Sequence, residues 1–360
     1  MLIVGTSNAL DPVIFSLQVF TRSLLRRRDV GHVLRLTGGM DVKRVVRVGA
    51  LATVLVLCAS GCSTASTTPS GPTSTRTQPG PSPATTPTSS AALPPASPNR
   101  LGSVTKVLVF VEENHSLAQM QAEMPYTFGL GRRFGYSTGY RAITHPSLPN
   151  YIAIAGGQTH GITNDDSPAA NPVAGTSVFG QAVTSGKTAS VYADGMAANC
   201  ATSDGGTDYA VKHNPWAYFT GERAPCTRYD VPVDRLGPAI AGGALPNVGM
   251  VIPNLCNDAH DCSLATADRW FKGWMTKVFA GPDWKSGHLA VVLTADEDDR
   301  SGANTVLTVV IHPSQKAHVV TTALTHYSLT RLYEEVAAMP YLFAAASAPS
   351  MATAFGLPLG

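Results

Sequence analysis

The stretch Val107-Leu108-Val109-Phe110-Val111, running at once into Glu112-Glu113-Asn114-His115-Ser116, decides how the chain is to be read. Five consecutive apolar residues fit a strand buried on both faces, as parallel strands in α/β proteins are. Comparable runs stand at 189–192, 248–252, 289–293 and 306–311, with helical segments between them, among them 263–279 and 328–338. Strands alternating with helices predict an α/β fold: a mostly parallel central sheet with helices on both faces. Ligands of such sheets bind beyond the carboxyl ends of the strands, so the residues that follow each run are where chemistry is expected.

Two strand ends are acidic. The run at 107–111 ends in Glu112-Glu113-Asn114, and the run at 289–293 leads into Asp296-Glu297-Asp298-Asp299. Carboxylates packed together repel, and a cation between them is the natural remedy. Glu113, Asn114, Asp296 and Glu297 are therefore expected as ligands of a divalent metal. Oxygen donors throughout favour Ca²⁺, Mg²⁺ or Mn²⁺ over zinc.

The nucleophile expected beside that ion is Ser147, in Thr144-His145-Pro146-Ser147-Leu148-Pro149-Asn150-Tyr151. The two prolines fix the backbone around it. The apolar run 151–155, closed by Gly156-Gly157, reads as a short helix, and Pro149 suits its first turn. Ser147 would then lie at a helix N-terminus, where free amides and the dipole favour an anion such as phosphate. Asn150 is expected to add a donor. The loops Lys212-His213-Asn214-Pro215-Trp216 and Asn257-Asp258-Ala259-His260-Asp261 offer His213 and His260 for phosphate binding or leaving-group protonation, with Asp261 beside His260 as a further catalytic candidate and a second metal at Asp258, His260 and Asp261 as the alternative. His145, Asp258, Asp298, His160 and His326 are expected around this inner set. No P-loop or dinucleotide glycine fingerprint follows a strand, and Ser147 lacks a Gly-x-Ser-x-Gly setting.

Of 360 residues only 14% are charged, with a net charge of +2, so no field draws nucleic acid. Residues 40–62 read as a lipoprotein signal: Lys43, Arg44 and Arg47, an apolar stretch too short to span a bilayer, then Ala59-Ser60-Gly61-Cys62. Cys62 would carry the lipid and tie the protein to the outer face of the cell membrane, whether it stays there or is shed. Residues 1–39 do not fit that signal and read as an over-extended start, with Met40 as the true beginning. Residues 63–100 are nearly all Ser, Thr, Pro, Gly and Ala, a tether without enough apolar surface to fold. The folded domain is expected at 101–360, as a monomer. Its four cysteines fit an oxidising compartment, and sequence proximity favours Cys200–Cys226 and Cys256–Cys262.

Taken together, Glu112 to Ser116, His145 to Tyr151, His213 to Trp216, Asn257 to Asp261 and Asp296 to Asp299 resemble the phosphoesterase family of bacterial acid phosphatases and phospholipases C, over about residues 104–335. That resemblance implies an alkaline-phosphatase-like fold, a metal on Glu113, Asn114, Asp296 and Glu297, and Ser147 as phosphoryl acceptor. The Ser-Leu-Pro-Asn-Tyr turn and Gly157-Gln158-Thr159-His160-Gly161 are also similar to nucleotide pyrophosphatases of the same superfamily, which place threonine at the nucleophile. Ala295 departs from relatives that carry an aromatic there, a difference in pocket shape. A metal-dependent phosphomonoesterase acting on phosphate esters is the expected function, possible substrates including phosphatidylinositol 3-phosphate. A phospholipase C-type diesterase and a non-catalytic surface lipoprotein are the alternatives.

Overall fold

The computed structural model describes residues 102–360. The expected over-extended start, lipoprotein signal with Cys62 and tether lie outside the described residues. Ten strands lie among the described residues: β1 (Lys106–Glu112), β2 (Gly135–Ser137), β3 (Tyr140–Arg141), β4 (Ala189–Ala193), β5 (Asp230–Pro232), β6 (Val248–Ile252), β7 (Leu289–Ala295), β8 (Thr308–Ile311), β9 (His318–Val320) and β10 (Leu324–Thr325). Eight form one sheet in the order β5-β4-β6-β1-β7-β8-β2-β9, and β3 pairs with β10 apart from it. β5, β4, β6, β1 and β7 run parallel.

The strand at 107–111 sits at the heart of this parallel half, with Val107 to Val111 fully buried. Fully burying side chains of this kind stabilises by roughly 1.5–3 kcal/mol each. The helices that matter for the site are α1 (Pro125–Arg133), α2 (Ser147–Gly156), α3 (Val178–Thr184), α4 (Leu264–Ala280) and α5 (His326–Ala337). α2, α3 and α5 pack against one another over β1, β4 and β6; α1 and α4 form the other layer. Phe110 meets Trp270 and Phe271 of α4 edge-on.

The run 306–311 differs from its expectation of a parallel strand. Its core, β8, lies antiparallel to β7. The loop from β7 to β8 holds no crossover helix, and without one the chain can only turn back on itself. That loop carries the acidic residues 296–299. The helix expected at 151–155 starts earlier, at Ser147, because Pro149 in its first turn costs no hydrogen bond. Gly157 ends it at φ 68°, where an added Cβ would lie 2.5 Å from the Leu342 carbonyl oxygen. Both disulfides, Cys200–Cys226 and Cys256–Cys262, are formed. Among the described residues no helix is long and apolar enough to cross a membrane.

Candidate active site

The carboxyl ends of β6, β1 and β7 lie side by side, and backbone hydrogen bonds lock their exits together. Asp296 N–H donates to the Glu112 carbonyl (3.0 Å), and Glu113 N–H to the Asp258 carbonyl (2.8 Å). Alternation along the strand sends Glu112 toward α4 with Phe110 and turns Glu113 toward α2. Asn114 then takes a left-handed conformation (φ 49°), which asparagine tolerates better than most residues. Its amide donates to Asp296 Oδ1 at 3.3 Å. The two acidic stretches, 182 residues apart, are thus in contact.

Ser147 opens α2 and is only 2% exposed. Its hydroxyl donates to Glu113 Oε2 at 3.0 Å. Tyr151, one helical turn on, donates to Glu113 Oε1 at 2.6 Å. Spacing i, i+4 places both hydroxyls on one helix face. Glu113, Asp258 and Asp296 are fully buried, and Glu297 nearly so. Burial above all, and then Asp296 and Asp258, push the Glu113 carboxyl well above its usual range. Burial, followed by Glu297, does the same for Asp296. Burial is also the first cause for Glu297, raised to about 8, and for Asp258, raised to about 7.

The donor set fits a hard divalent cation. Asn114 Oδ1, Asp296 Oδ2 and Asp258 Oδ2 are buried without a hydrogen-bond partner. Orphaned oxygens facing crowded carboxylates are expensive unless something positive meets them. Glu113, Asn114, Asp296, Glu297 and the Ser147 hydroxyl supply oxygen ligands only.

The histidines divide by environment. His213 is buried between two acids, with Nε2 3.2 Å from Glu113 Oε1 and Nδ1 3.2 Å from Asp258 Oδ2. Nε2 is not aligned as a hydrogen bond. Its ring stacks on Tyr151 at 5.2 Å. Burial, reinforced by Lys212 and His260, holds its pKa well below the ordinary value. His260 is more open: Nδ1 lies 2.8 Å from Asp261 Oδ1, and Nε2 3.4 Å from Lys212 Nζ. His145 bridges Glu297 and Asp298 at 3.1 and 3.3 Å. His326 touches the Asp296 carbonyl at 2.6 Å and the Tyr140 hydroxyl at 3.0 Å.

Two expected roles change. Asn150 does not offer its amide to an anion. Its Nδ2 donates to Thr144 O, Pro146 O and Glu297 Oε2, and its Oδ1 accepts from the Ile143 and Thr144 amides. With both ends engaged and no exposure, it latches the turn that delivers Ser147. His160 stands apart, edge-on to Phe219 and Phe343. Asp298 is a turn organiser, accepting from the Arg300, Gly302 and Asn304 amides as well as holding His145. The sequence reading left Tyr151, Asp165 and Lys212 without roles. Asp165 Oδ1 accepts from the Leu148 amide at 2.9 Å and its Oδ2 from Lys212 Nζ at 3.3 Å. The i, i+4 spacing could have found Tyr151; nothing local marks Asp165.

Residues 120–336 match the Phosphoesterase family model. The chain belongs to that family. It is 30% identical over 259 residues to the phosphatidylinositol-3-phosphatase of Mycobacterium tuberculosis, covering 71% of this chain and 84% of the relative. It is 28% identical over 205 residues to an acid phosphatase of Aspergillus fumigatus, covering 53% of this chain and 46% of that one. The chain thus spans about half the length of the fungal phosphatase. Like these relatives it is a hydrolase of phosphate esters. A solved protein of the alkaline phosphatase superfamily from Vibrio parahaemolyticus superposes with TM-score 0.49 at 9% identity, over 67% of this chain and 68% of that one. So remote a likeness carries no functional weight. Ser147, Asp296 and Glu297 lie within the family match; Glu113 and Asn114 lie just before it.

Proposed function

We propose that the protein is an exported, lipid-anchored, metal-dependent phosphomonoesterase that forms a phosphoserine at Ser147. One observation carries the reading: a single buried serine hydroxyl at a helix N-terminus sits 3.0 Å from Glu113, among carboxyl oxygens that lack partners. When bound to Glu113, Asn114, Asp296 and Glu297, the ion supplies positive charge that favours serine alkoxide and offsets charge on phosphoryl oxygens. Ser147 Oγ attacks phosphorus while its proton passes toward the carboxylate it already faces. The bond from phosphorus to the alcohol oxygen breaks, and His260, more open than His213, gives that oxygen a proton. Water then attacks the phosphoserine, releasing inorganic phosphate and returning the hydroxyl.

His213, closed in by Glu113 and Asp258, positions the cluster. Likeness to the mycobacterial relative supports a phosphoinositide carrying one phosphate at the 3-position as substrate. The two disulfides support export, since such bonds persist outside the cytoplasm. Export and anchoring through Cys62 would put the site outside the cell, against lipid substrate.

Ser147→Ala tests the reading. Release of phosphate from p-nitrophenyl phosphate should fall by about three orders of magnitude or more, a loss typical of removing a nucleophile. Mass spectrometry of acid-quenched wild type should show one phosphate on the peptide containing Ser147. Retained turnover in the variant would sink the assignment.

A further inference from the structure

Asp165 occupies an unusual seat. Ser147 opens a ten-residue helix, and the next backbone amide, that of Leu148, is one of the free donors that make such an end attractive to anions. That donor is already taken by Asp165 Oδ1 at 2.9 Å. The other oxygen of the same carboxylate takes Lys212 Nζ at 3.3 Å. One carboxylate therefore spans a helix-end amide and an ammonium, the pair of donors a phosphoryl group would use. Asp165 and Lys212 also border a cavity of about 410 Å³ with His260. Burial works to lower the Lys212 pKa, yet Glu113, Asp165 and Asp296 outweigh it and raise it, so Lys212 lies in the field of the acids around Ser147. The Asp165 side chain is 30% exposed and Lys212 20%, so the pair sits at the mouth and can part.

We propose that Asp165 is an internal stand-in for the phosphoryl group: it holds the Leu148 amide and Lys212 between turnovers, incoming phosphate displaces it, and its return helps expel product. The inference rests on the phosphoesterase reading given above and adds a specificity-determining residue to it. A carboxylate carries one charge where a phosphate monoester carries up to two, so the ester can win both donors. Inorganic phosphate, without the binding energy of an alcohol part, competes with Asp165 on closer terms. The arrangement would select esters over free phosphate.

The test compares Asp165→Asn and Lys212→Met with the wild-type protein, using inorganic phosphate as the probe. Its affinity is read by calorimetry and by competitive inhibition of p-nitrophenyl phosphate turnover. An exposed ion pair is worth up to about 1 kcal/mol, so loss of the competing charge should tighten phosphate by about fivefold in Asp165→Asn. Lys212→Met should weaken it by at least as much. A carboxylate that merely anchors its loop would lower the melting temperature and leave phosphate affinity unchanged. Unchanged or weaker phosphate binding in Asp165→Asn, or no binding to either form, overturns the proposal.

Should the variant fail to fold, hydrogen exchange on the wild type replaces it. Saturating phosphate should speed exchange in the segment around Asp165 while the Leu148 amide stays protected. Equal or slower exchange there counts against displacement. Failure of the underlying reading would show differently, as full turnover by Ser147→Ala.

Discussion

The molecule buries acids in two ways. At one kind of site each carboxylate is closed by donors. Glu222 accepts from the Ser177 amide at 2.8 Å, the Ser177 hydroxyl and Trp216 Nε1 at 2.8 Å. Asp268 accepts from the Tyr126 amide and from both the amide and hydroxyl of Thr127, at 2.7–2.9 Å. At the ends of β1, β6 and β7 acids instead crowd one another: Asp296 Oδ2 has no donor, and Asp258 Oδ2 has only the unaligned His213 Nδ1 at 3.2 Å. Charge alone does not separate the two regions, nor does burial. The supply of protein donors separates Glu222 and Asp268 from Asp296. Lack of donors is not enough by itself, since Glu112, turned toward α4, and Glu334 also bury unpartnered oxygens; beside Ser147 the orphaned oxygens of Asp296 and Asn114 leave a place for something from solution.

That contrast breaks most visibly in a pair of isosteric substitutions. Glu113→Gln removes a charge from the open cluster, and activity should fall by about 10³ or more, on the scale of lost electrostatic stabilisation in an active site. Without metal the same change relieves repulsion from Asp296 and Asp258, and the Ser147 or Tyr151 hydroxyl can turn to accept from the new amide, so the chelated variant should melt no lower than chelated wild type. Glu222→Gln should do the reverse. It mismatches three donors with an amide, costing about 1–3 kcal/mol of stability while turnover per folded molecule is kept. If both variants lose stability alike and keep activity alike, the open cluster is only another structural network.

Removing the cation tests the same difference through the wild type. An ion at 1,000 times its Kd stabilises the folded state by about 4.1 kcal/mol. Chelation should therefore lower the melting temperature and abolish phosphate release, and Ca²⁺, Mg²⁺ or Mn²⁺ added back should restore both. Asp296→Asn should make melting insensitive to chelator; Asp268→Asn should leave the response to chelator intact. A melting curve indifferent to chelator in the wild type would remove the case for a metal.

The two regions were not equally legible. The runs at 107–111 and 289–293 announced their strands through continuous apolar burial, and the acids that follow them fell at adjacent strand ends as parallel topology requires. Ser147 was readable because prolines and the closing Gly156-Gly157 mark the helix it opens. Asn150 was misread because its use depends on the turn at 143–146 folding back over it, a contact with no sequence period. Asp165 and Lys212 come from irregular loops, where neither spacing nor alternation says which side chains will meet. His160 was drawn in by its nearness to the motif, yet two turns of chain carry it to the aromatic packing around Phe219 and Phe343. Glu222 and Asp268 show the limit from the other side: an acid in an apolar neighbourhood looks like a ligand until its donors are known.

The finest separation concerns Asp230, a fully buried acid of the closed kind. Asn214 Nδ2 donates to both its oxygens, at 3.0 and 2.9 Å. Burial still dominates and lifts its pKa to about 7, with Asn214 and then Arg223 pulling the other way. The folded state thus holds this proton more tightly than the unfolded chain, where an aspartate titrates near ~3.9. Between those values folded molecules bind more protons than unfolded ones, so stability falls as pH rises, and the loss is complete above about 7. The slope from one group cannot exceed about 1.4 kcal/mol per pH unit. Asp230→Asn removes the titration, so the melting temperature of the variant relative to wild type should climb from pH 4.5 toward pH 7.5 and then level off. It lies outside the open cluster, so the climb should be the same with chelator or with metal. A difference that stays flat across that range would mean that the Asn214 amide outweighs burial and keeps Asp230 ionised.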